Sequence, residues 1–280
     1  MIRSVNEQGS GQPWRVYGVD FSGAASAGRK IWIASGVITR SALRIEACRP
    51  AQDLPGSGRD RDRCLAALRD FIAGERASAF GLDFPFGLPR PLVKEERWED
   101  FIRSFPDRYA TPEEFREACR LAAGGVELRR ATDLQARTPF SVYNLRLYRQ
   151  TYFGIRDLLY PLVRDQLACV LPIQRPFLDR PWILEICPAS LLKREKLYLP
   201  YKGGTQEHRR ARARILNGIE SSGHLSVQTS KLRTAVMDDH HGDALDSVIA
   251  AFAAFQALRK PTGLAVPGNG AYALEGYVYV

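Results

Sequence analysis

The chain has 280 residues, 45% of them hydrophobic and 25% charged, which is enough to bury a full core as one large domain or as a domain carrying an insertion. Forty Lys and Arg against 31 Asp and Glu give a net charge of +9, a balance that favours polyanionic partners such as nucleic acid. No stretch approaches the roughly 20 apolar residues of a membrane span. The five cysteines are scattered without a C-x-x-C pair, which excludes a disulfide framework or a zinc site built on them.

Residues 1–13 are polar and rich in Gly, Gln and Ser, a flexible lead without the apolar region of a signal peptide, so a cytoplasmic protein is expected, with one domain over residues 14–280. Arg15–Phe21 is a near-continuous apolar run and predicts a first strand covered on both faces. Lys30–Thr39 and Leu43–Cys48, joined by a short connection, predict an antiparallel hairpin. Asp60–Ala73 places Cys64, Leu65, Leu68, Phe71 and Ile72 on one helical face, and Ser78–Phe84 is a fourth strand reached through that helix. An arginine-rich helical insertion is expected at about residues 90–180. Within it Thr111-Pro112 marks a helix start, and Asn144–Val163 reads as one long helix. Trp182–Cys187 is a fifth strand, Gly242–Leu258 a final helix and Glu275–Val280 a short closing strand.

Two strands end on nearly the same four residues, Gly18-Val19-Asp20-Phe21 and Gly81-Leu82-Asp83-Phe84. Buried carboxylates are costly unless something positive lies between them. On neighbouring parallel strands Asp20 and Asp83 stand about 5 Å apart, and the final helix brings Asp243 and Asp246 from Asp238-Asp239-His240-His241-Gly242-Asp243-Ala244-Leu245-Asp246. Spacing i, i+4, i+7 puts Asp239, Asp243 and Asp246 on one face of a helix. This is the pattern of a divalent-metal site. Asp20, Asp83 and Asp243 are the expected ligands, Glu185 or Asp246 adds a fourth, and the all-oxygen donor set suits Mg²⁺ or Mn²⁺. Two such ions about 4 Å apart activate a water and stabilise the leaving oxygen in phosphodiester cleavage. The competing reading is that strand-end aspartates cap turns, Asp20 on the Ser22-Gly23 amides and Asp83 on the turn before Phe86, and that Asp238 or Asp239 caps the final helix.

The element order β-β-β-α-β, helical segment, β, α is that of an RNase H-like fold: an α/β core with a mixed five-stranded sheet flanked by helices and the first strand between the hairpin and the fourth. Six short pieces recur in that order: Gly18–Ala24, Gly81–Gly87, Leu184-Glu185-Ile186-Cys187-Pro188, Tyr201-Lys202-Gly203, His240-x-x-Asp243-Ala244-Leu245 and Glu275-Gly276-Tyr277. Together they resemble the "domain of unknown function 429" family, grouped with predicted RNase H-like nucleases. The resemblance runs from about Tyr17 onward. It implies a metal-dependent nuclease (a hydrolase) with nucleic acid as partner, and late carboxylates on a C-terminal helix as in RuvC-type junction resolvases. His240 matches the family's His-x-x-Asp and is a candidate for proton transfer.

Arg129, Arg130, Arg137, Arg146, Arg149 and Arg156 in the insertion, and the basic run Lys193–Arg214, are free to meet phosphates on this reading. Arg130 and Arg149 are taken as substrate contacts together with Ser22 of the first turn, and Lys202 is placed near the scissile phosphate. Two other classes stay open: a non-catalytic nucleic-acid-binding module, and a nucleotide-using phosphotransferase related to the actin-like ATPases, whose first phosphate loop Asp20–Ala24 resembles. The latter needs a second domain and a second Gly-rich loop that the chain does not supply. DNA versus RNA, strandedness and oligomeric state are not written in the sequence.

Overall fold

A computed structural model describes residues 14–259, 264 and 270–280; the predicted lead at 1–13 lies outside them. In chain order the elements are β1 (Arg15–Asp20), α1 (Ala27–Lys30), β2 (Trp32–Thr39), β3 (Ala42–Pro50), α2 (Arg61–Gly74), β4 (Ser78–Asp83), α3 (Trp98–Arg108), α4 (Pro112–Ala122), α5 (Ala131–Ala136), α6 (Tyr148–Phe153), α7 (Tyr160–Arg164), β5 (Cys169–Leu171), β6 (Trp182–Ile186), α8 (Pro188–Arg194), α9 (Gln206–Glu220), β7 (Leu225–Val227), α10 (Ser230–Asp238), α11 (Asp243–Arg259), α12 (Tyr272–Glu275) and β8 (Val278–Tyr279). The result is a mixed α/β fold in which an open sheet is flanked by helices.

The sheet runs β5-β6-β4-β1-β2-β3-β7, with β8 beside β6. β1 is antiparallel to β2 and parallel to β4, so it sits between the hairpin and the fourth strand as expected. The sheet has eight strands where the sequence predicts five and a short closing strand, and β8, a two-residue strand parallel to β6, is that closing strand. The two unpredicted strands, β5 and β7, are three residues long and add parallel to longer neighbours. Runs this short carry no readable alternation.

Each face of the sheet has its own apolar core. One gathers Tyr17, Val19, Phe80, Leu82 and Ile183 with α2 and the insertion helices; the other gathers Val16, Ala34, Ala79, Leu184 and Ile186 with α11. Capping residues start the helices where the sequence signals them: Asp60 accepts from Arg63 N at 3.0 Å and Thr111 from Glu114 N at 3.1 Å. The predicted long helix at 144–163 begins four residues later, at Tyr148, because Ser141–Leu147 is spent in turns that pin Asn144. It then widens into a π-helical stretch at Gly154–Leu159 before α7. The expected all-helical insertion is also interrupted by β5. The insertion tyrosines are core, with Tyr152 packed among Phe105, Phe115 and Phe153. All five cysteines are free, Cys64, Cys119 and Cys169 buried and Cys48 and Cys187 half-buried. Among the described residues no helix is long and apolar enough to cross a membrane.

Candidate metal centre

The repeated Gly-x-Asp-Phe pieces do two things at once. In a strand residues i and i+2 face the same way, so Gly18 shares a face with Asp20, and Gly81 with Asp83. The two pairs are level across the parallel ladder, Gly18 with Gly81 and Asp20 with Asp83. On that face lies α11, seated so closely that a Cβ at Gly18 would lie 2.0 Å from Ser247 O and 2.1 Å from Ala251 N. One at Gly81 would lie 2.6 Å from Ala250 O. The glycines let the helix lie down on the sheet, and the helix then presents its first turn, with Asp243 and Asp246, to the aspartates at the strand ends. Sequence reasoning gave the glycines no role, although their two-residue offset from each aspartate was the signal.

Asp20 is buried and Asp83 and Asp243 are half-buried, and none of the three carboxylates accepts a hydrogen bond from a described residue. Turn capping by Asp20 or Asp83 is therefore not what these side chains do. Asp246 differs: Tyr201 Oη donates to its Oδ1 at 2.6 Å, and Lys202 Nζ stands 2.7 Å from its Oδ2. The carboxyl of Asp20 is raised well above its ordinary range, first by burial and then by the charges of Asp246, Asp83 and Asp243. Asp83 is pushed up to about 8 by burial and then by Asp246. Asp243 and Asp246 are raised by burial, opposed in each by Lys202. Burial works against the Lys202 ammonium, yet Asp246 and Asp20 more than offset it and hold it protonated. The site thus carries four carboxylates and one cation in direct contact, an excess of negative charge.

Among the described residues no three His, Cys, Asp or Glu side chains already enclose a space for an ion. The donor set fits a hard divalent cation nonetheless. It is all oxygen, it is short of positive charge, and three of its members are held by no hydrogen bond, so rotation about χ1 is open to them.

Other sequence candidates fall elsewhere. Glu185 is level with Leu82, so its side chain shares Leu82's face, opposite to that of Asp83. There it accepts from Arg130 Nη1 at 3.0 Å and from Phe86 N at 3.0 Å. Glu185 does not join the aspartates. Arg130, expected to meet phosphate, is 1% exposed and also grips Asp133 at 2.8 Å. Burial disfavours its charge, and Asp133 and then Glu185 more than compensate. This buried triad ties α5 to β6, and Arg130 Nη1 also donates to Glu275 O at 3.0 Å. Arg130→Met is therefore expected to cost about 3–5 kcal/mol by leaving two buried carboxylates unpaired. Denaturant melts of the variant measure the cost, and Arg130→Met with Glu185→Leu should recover part of it.

Arg149 is exposed and paired with Glu113 at 2.8 Å. Ser22 is half-buried in the turn after β1 and accepts from Ala24 N. His240 is exposed, its ring 4.2 Å from that of His241; its carbonyl accepts from Gly203 N at 2.8 Å and so fastens the Lys202 loop to the start of α11. Asp239 is not on the helix with Asp243. It ends α10 and caps α11, accepting from His241 N and from Ala244 N at 2.9 Å. Tyr201, which sequence reasoning left unassigned, is the buried partner of Asp246.

Beside Asp83 and Asp246 a cleft of about 470 Å³ opens along the ends of β4 and β6, toward the loop carrying Phe140 and Arg146. No protein-family model matches the chain, and no curated protein or solved structure was found similar to it. The family resemblance therefore rests on the short motifs alone.

Proposed function

We propose that the chain is a divalent-metal-dependent nuclease on an RNase H-like core, hydrolysing phosphodiester bonds in nucleic acid. The observation that carries this reading is the convergence of four carboxylates from β1, β4 and α11 at one end of the sheet, three of them without a hydrogen-bond donor among the described residues. Asp20, Asp83 and Asp243 would hold Mg²⁺ or Mn²⁺, with Asp246 beside them. Bound there, such an ion supplies Lewis-acid charge to the phosphate and makes an attacking water more acidic. Tyr201 and Lys202 fix Asp246 in one orientation, and the half-exposed Lys202 ammonium adds a fixed positive charge where an anionic substrate approaches. Glu185 has no part in this chemistry; it braces β6.

The test incubates labelled single-stranded, duplex, hybrid and branched nucleic acids with the protein in Mn²⁺, Mg²⁺ or EDTA. Cleavage that requires metal and is lost in Asp20→Asn is the expected result. Binding retained in EDTA with no cleavage in either metal would make the chain a non-catalytic nucleic-acid-binding module.

A further inference from the structure

Resting on the nuclease reading, we infer that the cleft beside the carboxylates takes one unstacked nucleotide of the substrate, so that the protein selects single-stranded or frayed nucleic acid over continuous duplex. The cleft is lined by Asp83, Asp246 and Lys202 of the candidate site and also by Phe140 and Arg146. Its volume of about 470 Å³ lies in the range that holds one small organic ligand, and a continuous duplex is too wide to enter it.

Pro85, Leu147, Ile186, Pro188 and Leu199 give the cleft an apolar wall that suits a flat, neutral base, and the charged residues beside them, Arg130, Asp133 and Glu185, are paired with one another. Part of the wall is cationic and aromatic. Arg146 is exposed and lies over the Phe140 ring, 5.4 Å from its centroid, and among the described residues it has no carboxylate partner. Tyr198, 54% exposed, offers a second ring on the cleft wall. Aromatic rings of this kind are stacking platforms for single strands, and an unpaired guanidinium beside one is placed for the next phosphate.

A base still paired and stacked in a duplex cannot reach such a pocket without being extruded, which costs a few kcal/mol in the substrate. The phosphate then lies at the carboxylates and its nucleoside on the β6 side. The buried Arg130, Asp133 and Glu185 triad also lines the cleft, its charges paired with one another.

The test reads binding apart from chemistry. Fluorescence anisotropy of a labelled oligonucleotide, single-stranded or annealed as a blunt duplex, is recorded in EDTA for wild type, Phe140→Ala and Arg146→Ala, and cleavage of both substrates is recorded separately in Mn²⁺. Binding of the single strand about tenfold tighter than the duplex, with that preference lost in Phe140→Ala and Arg146→Ala, is expected. Arg146 is exposed and Phe140 half-buried, so the melting temperature of each variant is recorded beside its binding and Arg146→Ala carries the test if Phe140→Ala is destabilised. Equal affinity for the two substrates, or variants that leave the preference intact, would overturn the pocket while metal-dependent cleavage still upheld the nuclease. The expected preference without cleavage would uphold the pocket and remove the nuclease. Binding of neither substrate would remove the pocket.

Discussion

Asp20→Asn is expected to abolish metal-dependent cleavage, a loss of about a thousandfold or more, while raising the melting temperature of the metal-free protein by about 5 °C. The two effects have one cause. Asp20 is buried beside Asp83, Asp243 and Asp246, and burial and these three carboxylates disfavour its charge by more than Lys202 favours it. A carboxamide of the same shape removes that repulsion and also removes the ligand. The stabilisation is expected to depend on pH.

An aspartate in the unfolded chain releases its proton near 4, whereas Asp83 in the fold holds its proton up to about 8. Between those values the folded protein binds protons that the unfolded chain has given up, so unfolding free energy falls as pH rises through this window. That is the opposite sign to a salt-bridged aspartate. Thermal melts of the wild type in EDTA should therefore decline from pH 5 to pH 8, and saturating Mn²⁺ should flatten the decline by binding only the folded state. Asp83→Asn in EDTA should show a shallower slope than the wild type. A level profile in EDTA would mean that the carboxylates do not repel one another.

Gly18→Ala is expected to prevent folding or to cost more than about 4 kcal/mol. A methyl at that position would meet the backbone of Ser247 and Ala251, and neither atom is the end of a flexible side chain. Relief requires lifting α11 from β1, which opens the core on that face and carries Asp243 and Asp246 away from Asp20. Gly81→Ala should act in the same direction, against Ala250 O. Gly74→Ala at the end of α2 is the control: nothing lies within 4 Å of the new methyl, and helix propensity favours alanine. Soluble yield and melting temperature of the three variants, measured in parallel, decide the point. A Gly18→Ala protein that melts like the wild type would show that the helix is not seated as described.

The aspartate pair was legible because each ends a strong apolar run, and parallel neighbours bring such ends level. Asp243 and Asp246 were legible because a clear apolar helix follows them. Glu185 was misplaced for a simple reason. A lone carboxylate in a buried strand faces one of two sides, and only the register with Leu82 says which. Arg130 misled in the same way: an arginine among arginines reads as a solvated or phosphate-binding face, and nothing in the linear pattern shows that Asp133 and Glu185 enclose it. Asp239 falls on the Asp243 face only if the helix is continuous, and the turn at Asp239–Gly242 breaks it. The cleft has no sequence signature, since its walls come from at least six separated segments.

Placing Asp20 and Asp83 early in the chain and their covering helix more than 150 residues later has a consequence in time. At about 5–20 residues per second, roughly ten to thirty seconds of synthesis separate Asp83 from Asp246. Over that interval the nascent sheet displays an apolar strip along Val16, Ala34, Ala79 and Leu184 with no helix on it. Whatever chemistry the four carboxylates perform is therefore closed to a growing polypeptide. Translation itself acts as the safety catch, and a product broken off before α11 carries two aspartates and no working centre.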